Sequence, residues 1–441
     1  MSVESGPDHA RHGDRYDVDR MPPWRTAVPL GVQHVLAMFA SNVTIPILLA
    51  GAVGAATHTT ALLVQAALIV AGLSTLVQTF GIGPVGARLP VVQGTGFAFA
   101  AAALPLAQKF GISAVFGGAI AAGVVQFVLG GLLRRLRWLF PPLVTGIVVA
   151  SVGIALLPTG VTLAAGGNGA KDFGAPVNLL LAGLVLLVTV IVHQYTRGFL
   201  SSVAVLCGLV VGYLAAIVLG KVHFSGVGSA AWFALPQPLE FGISFPAAAV
   251  VAMSVVAVAN SLDTIGCISA LTKGGAGRRP TDRELSGGVL ADGAGSLIAA
   301  LFGTVPNTSF SQNAGLIAFT KVMSRHVVSI GGVLLVLLSL LPKTSAAIAA
   351  MPPAVLGGAA IVLFTMVAGL GIQMLGEAGL DNRNLLITAV AMGVGLGIHF
   401  VPESVDRLPE QVAVLLQTGV VPAALLAVVL NVVLPKSPAE S

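Results

Sequence analysis

Long apolar runs, broken at intervals by Gly, Pro and charge, dominate this chain and leave it few ways to fold. About 20 apolar residues cross a bilayer as one helix. About fourteen such runs fit between residue 27 and residue 434. Only 9% of residues are charged and 56% are hydrophobic, whereas a soluble domain carries about 25% charged residues. A water-soluble fold could not shield that much apolar surface. The expected fold class is therefore an all-α polytopic membrane protein. The net charge of +5 does not call for a nucleic-acid partner, because loop cations set topology in such proteins.

Topology follows from where the cations fall. With the first terminus inside and the runs alternating, the inside segments hold seventeen basic residues, among them Arg88, Arg135, Arg197, Lys273, Arg278, Arg279, Arg283 and Lys321. The outside segments hold Lys109, Lys171, Lys221, Lys343 and Arg407. That asymmetry obeys the positive-inside rule. It predicts an inner-membrane, multi-pass protein with both termini cytoplasmic. The polar first 25 residues read as a cytoplasmic tail without the apolar core of a cleavable signal. Cys207 and Cys267 both fall inside apolar runs, which argues against a disulfide framework or a cysteine metal site.

Two runs, 91–106 and 308–321, are too short for ordinary spans. The second follows Val305 and Pro306 and carries Asn307, Thr308, Ser309, Ser311, Gln312 and Asn313. Polar backbone and side chains at membrane depth are tolerated where they are buried in protein or line a cavity. Interrupted half-spans at matching places in two halves point to a transporter's midplane site. The first run opens Val91-Val92-Gln93-Gly94-Thr95-Gly96-Phe97 and is likewise the third of seven in its half. Seven is odd, so the halves would be inverted repeats. In each, a short extended piece followed by a half-helix would aim a helix N-terminus, with its free N–H groups, at a shared cavity.

Of 17 acidic residues, Asp263 and Asp292 lie within spans, where an ionisable group is functional by default. Asn260, Asp263 and Cys267 fall on one helical face. Asp263 can accept hydrogen bonds from ligand N–H groups or take up a proton. Asp292 falls near the cytoplasmic start of the run at 286–303, where a capping carboxylate is the competing reading. His34, beside Gln33 in the first span, could shuttle a proton, though such a histidine is more often a helix clamp. Gln312 and Asn313 offer carboxamides that donate and accept, which suits a planar heterocycle. Phe97 could stack on such a ring, and it lies beside Gly94 and Gly96, where a ligand can approach the backbone closely. No metal cluster, phosphate-cradling Gly-Lys-Ser motif or Gly-x-Ser-x-Gly turn is present in the sequence. The chain reads as a carrier and not an enzyme, with no cofactor, and with an ion gradient or none as its energy source.

The stretch Gln312-Asn313-Ala314-Gly315-Leu316-Ile317-Ala318-Phe319-Thr320-Lys321 resembles the signature of the nucleobase–ascorbate transporters, also called nucleobase–cation symporter-2. Every fixed position matches. Gln33-His34, Phe140-Pro141-Pro142, Ala291-Asp292-Gly293 and Pro353-Ala354-Val355-Leu356-Gly357-Gly358 are similar to other landmarks of that family. The resemblance implies fourteen spans in two inverted seven-span repeats. It divides the chain into a cytoplasmic tail (1–25), core domain (26–133 and 245–342), gate domain (134–219 and 343–435), an outside loop (220–244) and a second cytoplasmic tail (436–441). It implies nucleobase import by proton symport with alternating access, a purine such as xanthine or uric acid being favoured and uracil second. Phe97 and Ala98 would contact the base, Asp263 and Gln312 would hydrogen-bond it, and Asn313 would belong to the same site. Asp263, Asp292 and His34 are the candidates for proton coupling. A homodimer would form through the gate domain, within the lipid bilayer. The sequence departs from the family pattern in the eighth span, where Asp263 and Cys267 stand for the usual Glu and a second titratable group. The alternative is an anion carrier on the related sulfate-transporter fold, which a carboxylate at Asp263 opposes.

Overall fold

A computed structural model describes residues 18–136 and 141–435. Residues 1–17 and 436–441, most of the two expected tails, lie outside the described residues, as does Phe140 of the Phe140-Pro141-Pro142 landmark. The first half contains α1 (Trp24–Ala52), α2 (Thr57–Phe80), β1 (Gln93–Thr95), α3 (Phe97–Phe110), α4 (Ile112–Leu136), α5 (Pro142–Ala164), α6 (Pro176–Tyr195) and α7 (Ala204–Val218). The second contains α8 (Ala247–Ala276), α9 (Asp282–Phe302), β2 (Asn307–Ser309), α10 (Ser311–Thr320), α11 (Arg325–Ser339), α12 (Pro353–Ala378), α13 (Asn382–Phe400), α14 (Glu410–Gln417) and α15 (Val420–Val433). Among the described residues, nine helices are long and apolar enough to cross a membrane. Two sharply bent pairs, α14 with α15 and α11 with the short helix Pro342–Ala349, raise the number to eleven. The expected fourteen also counts α7 and the two strand–half-helix segments, which are individually short.

Each packing in one half has its counterpart in the other. α4 lies on α9 as α11 lies on α2; α8 lies on α4 as α1 lies on α11. α6 packs on α7 as α13 packs on α15, and α5 packs along its own counterpart α12. The halves meet at an antiparallel pair, β1 with β2, in the register Gln93↔Ser309, Gly94↔Thr308 and Thr95↔Asn307. This is the inverted-repeat arrangement expected from the two short runs.

Small residues explain the closest approaches. A Cβ on Gly153 of α5 would stand 2.3 Å from the backbone nitrogen of Ala368 on α12, and one on Gly371 2.2 Å from that of Ala150. Glycine lets the two backbones touch without driving them apart. α1 and α2 are mostly buried, whereas α6 and α13 keep most of their apolar surface exposed, including Leu180, Leu187, Leu385 and Leu386. Exposed apolar surface on that scale matches a lipid solvent.

The α8–α9 connection corrects one boundary. α9 begins at Asp282, before the apolar run at 286–303, because Thr281 and Glu284 form a reciprocal capping box. Asp292 therefore lies ten residues inside the helix. It is fully buried, so the capping reading of this carboxylate does not hold.

Candidate functional site

β1 and β2 are too short to make a sheet of their own, and neighbouring side chains hold them in place. Thr95 N donates to Asn42 Oδ1 at 2.9 Å, and Thr95 Oγ1 donates to the Asn42 carbonyl at 3.0 Å. Gln93 N donates to Thr75 Oγ1 at 2.9 Å. A Cβ at Gly94 would sit 2.1 Å from Phe310 Cε2, so glycine is what lets Phe310 close over the strand. α3 starts at Phe97 just after β1, and α10 starts at Ser311 just after β2. Their first turns leave N–H groups without helical partners, which gives each terminus a partial positive charge.

Both N-termini open into one cavity. It is lined by Phe97 and Ala98 from α3, Asn260 and Asp263 from α8, Thr308 from β2 and Gln312 from α10. The facing wall is apolar: Val148, Val149 and Val152 of α5, with Val367 and Leu370 of α12. The space open to the centre of a water-sized sphere is ≈ 70 Å³, which suits a small solute. The Phe97 ring meets Phe364 of α12 edge-on, with centroids 5.9 Å apart and an 85° interplanar angle. A second cavity of ≈ 360 Å³ lies under the connection before α8, beside Gln65, Glu240 and Ser345. It is away from the half-helix termini.

Phe97, Ala98, Asp263 and Gln312 are thus brought together as the sequence suggested. Asn313 is not at the cavity wall. It is buried, and its Nδ2 lies 3.0 Å from His34 Nδ1 and donates to the His34 carbonyl at 3.0 Å. The next position on a helix points about 100° away, so Gln312 and Asn313 diverge. His34 is accordingly held as a clamp between α1 and α10. Asp292 stands behind the strands. Gln93 Nε2 donates to its Oδ1 at 2.7 Å and lies 3.0 Å from Ser309 Oγ, while Thr264 Oγ1 donates to Asp292 Oδ2. Thr264 follows Asp263 in the chain, so the two carboxylates flank one turn of α8. Cys267 is buried one turn further on. Among the described residues, no group of three or more His, Cys, Asp or Glu is placed to hold a metal.

Sequence reasoning gave Gln93 and Thr264 no role, although a glutamine at the mouth of a short apolar run is a usable signal. Asn42, which fixes Thr95 from α1, carried none.

An inverted-repeat helical bundle with a polar cavity at paired half-helix termini is the arrangement of a membrane carrier. The same architecture appears in the transmembrane domain of the cyanobacterium bicarbonate transporter BicA (TM-score 0.58, 14% identity, 94% of this chain and 100% of that one). SLC26A9 shares it as well (TM-score 0.60, 13% identity, 93% of this chain and 66% of that one). At the sequence level, a model of the permease family, xanthine–uracil type, matches residues 25–404. The xanthine permease of Bacillus subtilis is 38% identical over 406 residues, 92% of each chain. The uric acid transporter UacT of Escherichia coli is 37% identical over 422 residues, 94% of this chain and 87% of its own. The chain belongs to this permease family. It is a multi-pass membrane transporter that moves a solute and does not transform one.

Proposed function

We propose that this permease carries nucleobases, with an oxidised purine such as xanthine or uric acid favoured and uracil second. The observation that carries this reading is that Asp263, Gln312 and Phe97 share one small cavity. A carboxylate accepts ring N–H groups, a carboxamide reads a mixed donor–acceptor edge, and an aromatic ring covers a planar face. The relatives named for xanthine and uric acid support the same class. A bicarbonate transporter shares the fold, but bicarbonate has no aromatic face for Phe97 to cover.

The cavity lies between residues assigned to the core (Phe97, Asp263, Gln312) and to the gate (Val148, Val152, Val367). We assign alternating access to movement of the core (26–133 and 245–342) against the gate (134–219 and 343–435), with the ligand riding on the core. The coupling ion in this reading is a proton, carried by Asp263 and Asp292, which flank Thr264. His34 is occupied with Asn313 and serves as a brace. The loop cations support a cell-membrane protein with both termini in the cytoplasm. The exposed apolar faces of α6 and α13 give the gate a surface for lipid and for a second copy of the chain.

A ligand that binds only the folded state raises stability by RT ln(1 + [L]/Kd), about 2.7 kcal/mol at a hundredfold excess over Kd. Purified protein in detergent is therefore expected to melt several degrees higher with saturating xanthine or uric acid, and less so with ribose or bicarbonate. A rise with bicarbonate and none with any base would overturn the reading.

A further inference from the structure

We propose that Asn260 is a second ligand-reading residue in this cavity: it donates from Nδ2 to a ring carbonyl next to the N–H that Asp263 accepts, so the site selects oxo-substituted bases over amino-substituted ones. The inference rests on the nucleobase reading above.

Asn260 precedes Asp263 by one turn of α8, on the same face. It lines the cavity and is 2% exposed. Its Nδ2 finds no acceptor on the protein, and a buried amide N–H left unpaired is costly. Its α8 neighbours Val256, Ala257 and Ala259 have no side-chain acceptor to offer. Rotation about χ2 is broad for asparagine, so Nδ2 can be turned to whatever enters the cavity. Thr308, also in the cavity lining, lies beside the Asp263 carboxylate.

One wall thus presents a donor and then an acceptor, from side chains whose backbones are about 4.5 Å apart along the helix axis. The complementary ligand edge is an acceptor beside a donor. A lactam, –C(=O)–NH–, has that order and is found in hypoxanthine, xanthine, uric acid and uracil. The corresponding edge of adenine carries an exocyclic –NH2 beside a ring nitrogen lone pair. It would offer no carbonyl to Asn260 Nδ2 and would set a lone pair against the carboxylate at Asp263. A lost match at a buried polar site gives large discrimination, because the protein group is left unpaired.

The test is uptake of labelled xanthine into proteoliposomes, with competition by hypoxanthine, uric acid and adenine, for the full wild-type chain, Asn260→Leu and Asn260→Gln. Leucine keeps the branch at Cγ and removes the donor; glutamine keeps the donor. Wild type should prefer the three oxo-purines to adenine. In Asn260→Leu their half-inhibitory concentrations should rise about ten- to a hundredfold, with adenine unchanged or improved, and Asn260→Gln should recover part of the loss. Unchanged oxo-purine affinity in Asn260→Leu overturns the inference. So does a lowered melting temperature with equal loss in both variants, which makes Asn260 a structural residue. Wild-type uptake of no base overturns the nucleobase reading, and this inference with it; uptake with no change in Asn260→Leu overturns the inference alone.

Discussion

Asp292 has neutral partners: Gln93 and Thr264 hold its two oxygens at the back of the strand pair, far from water. A carboxylate placed there, when a neutral residue would pack more cheaply, fits a group that changes its proton content during transport. Removing it also strands the donors around it. Asp292→Ala leaves Gln93 Nε2 and Thr264 Oγ1 short of an acceptor and should destabilise the protein by about 1–3 kcal/mol. Asp292→Asn keeps one acceptor, so it should melt closer to wild type, yet lose gradient-driven uptake. Melting curves of the two variants in detergent, with uptake beside them, check both parts. Asp292→Asn that still concentrates substrate with a gradient would remove this residue from the coupling scheme.

At the level of elements, the strand–half-helix units are what set the site apart from ordinary membrane packing. Gly94 is their tightest point, since any Cβ there runs into Phe310. Gly94→Ala must push Phe310 off β1, at about 1–3 kcal/mol for an overpacked core, and shift Ser311 and Gln312 with it. The expected result is a lowered melting temperature and a raised KM for the transported base; a variant with wild-type KM would show that the strand contact does not position α10. These units were legible in the sequence because polar residues in an apolar run too short to span must line a cavity or be buried in protein. Gln312 was legible for the same reason, and Asp263 because an ionisable group within a span is functional by default. The role of Gln93 was not, since its partner Asp292 is 199 residues away and such a contact leaves no periodic trace. Asn313 was expected in the site from the family resemblance, but helical geometry turns adjacent side chains to different faces and sets it on His34. The competing capping reading of Asp292 arose because hydropathy starts a helix at its first apolar residue, whereas the cap at Thr281 starts it sooner.

For the whole molecule, two inverted halves place one cavity between a polar wall and an apolar one. At the end where α3 stops and α8 begins, contacts tie the two walls together: Lys109 Nζ lies 3.2 Å from Glu410 Oε1 on α14, and Ala248 N donates to Gln411 Oε1 at 2.8 Å. Both Lys109 and Glu410 are more than half exposed, and such a pair contributes about 0–1 kcal/mol, weak enough to break in each cycle. The permease family, the fold and the cavity agree on a carrier; in the proposed function its cargo and coupling rest on Asp263. The most direct measurement is uptake of labelled xanthine into proteoliposomes, with and without an inward proton gradient, for wild type and Asp263→Asn. Proton coupling through Asp263 predicts that wild type accumulates xanthine only with the gradient and that Asp263→Asn does not accumulate it. Gradient-independent uptake that survives the substitution would contradict it.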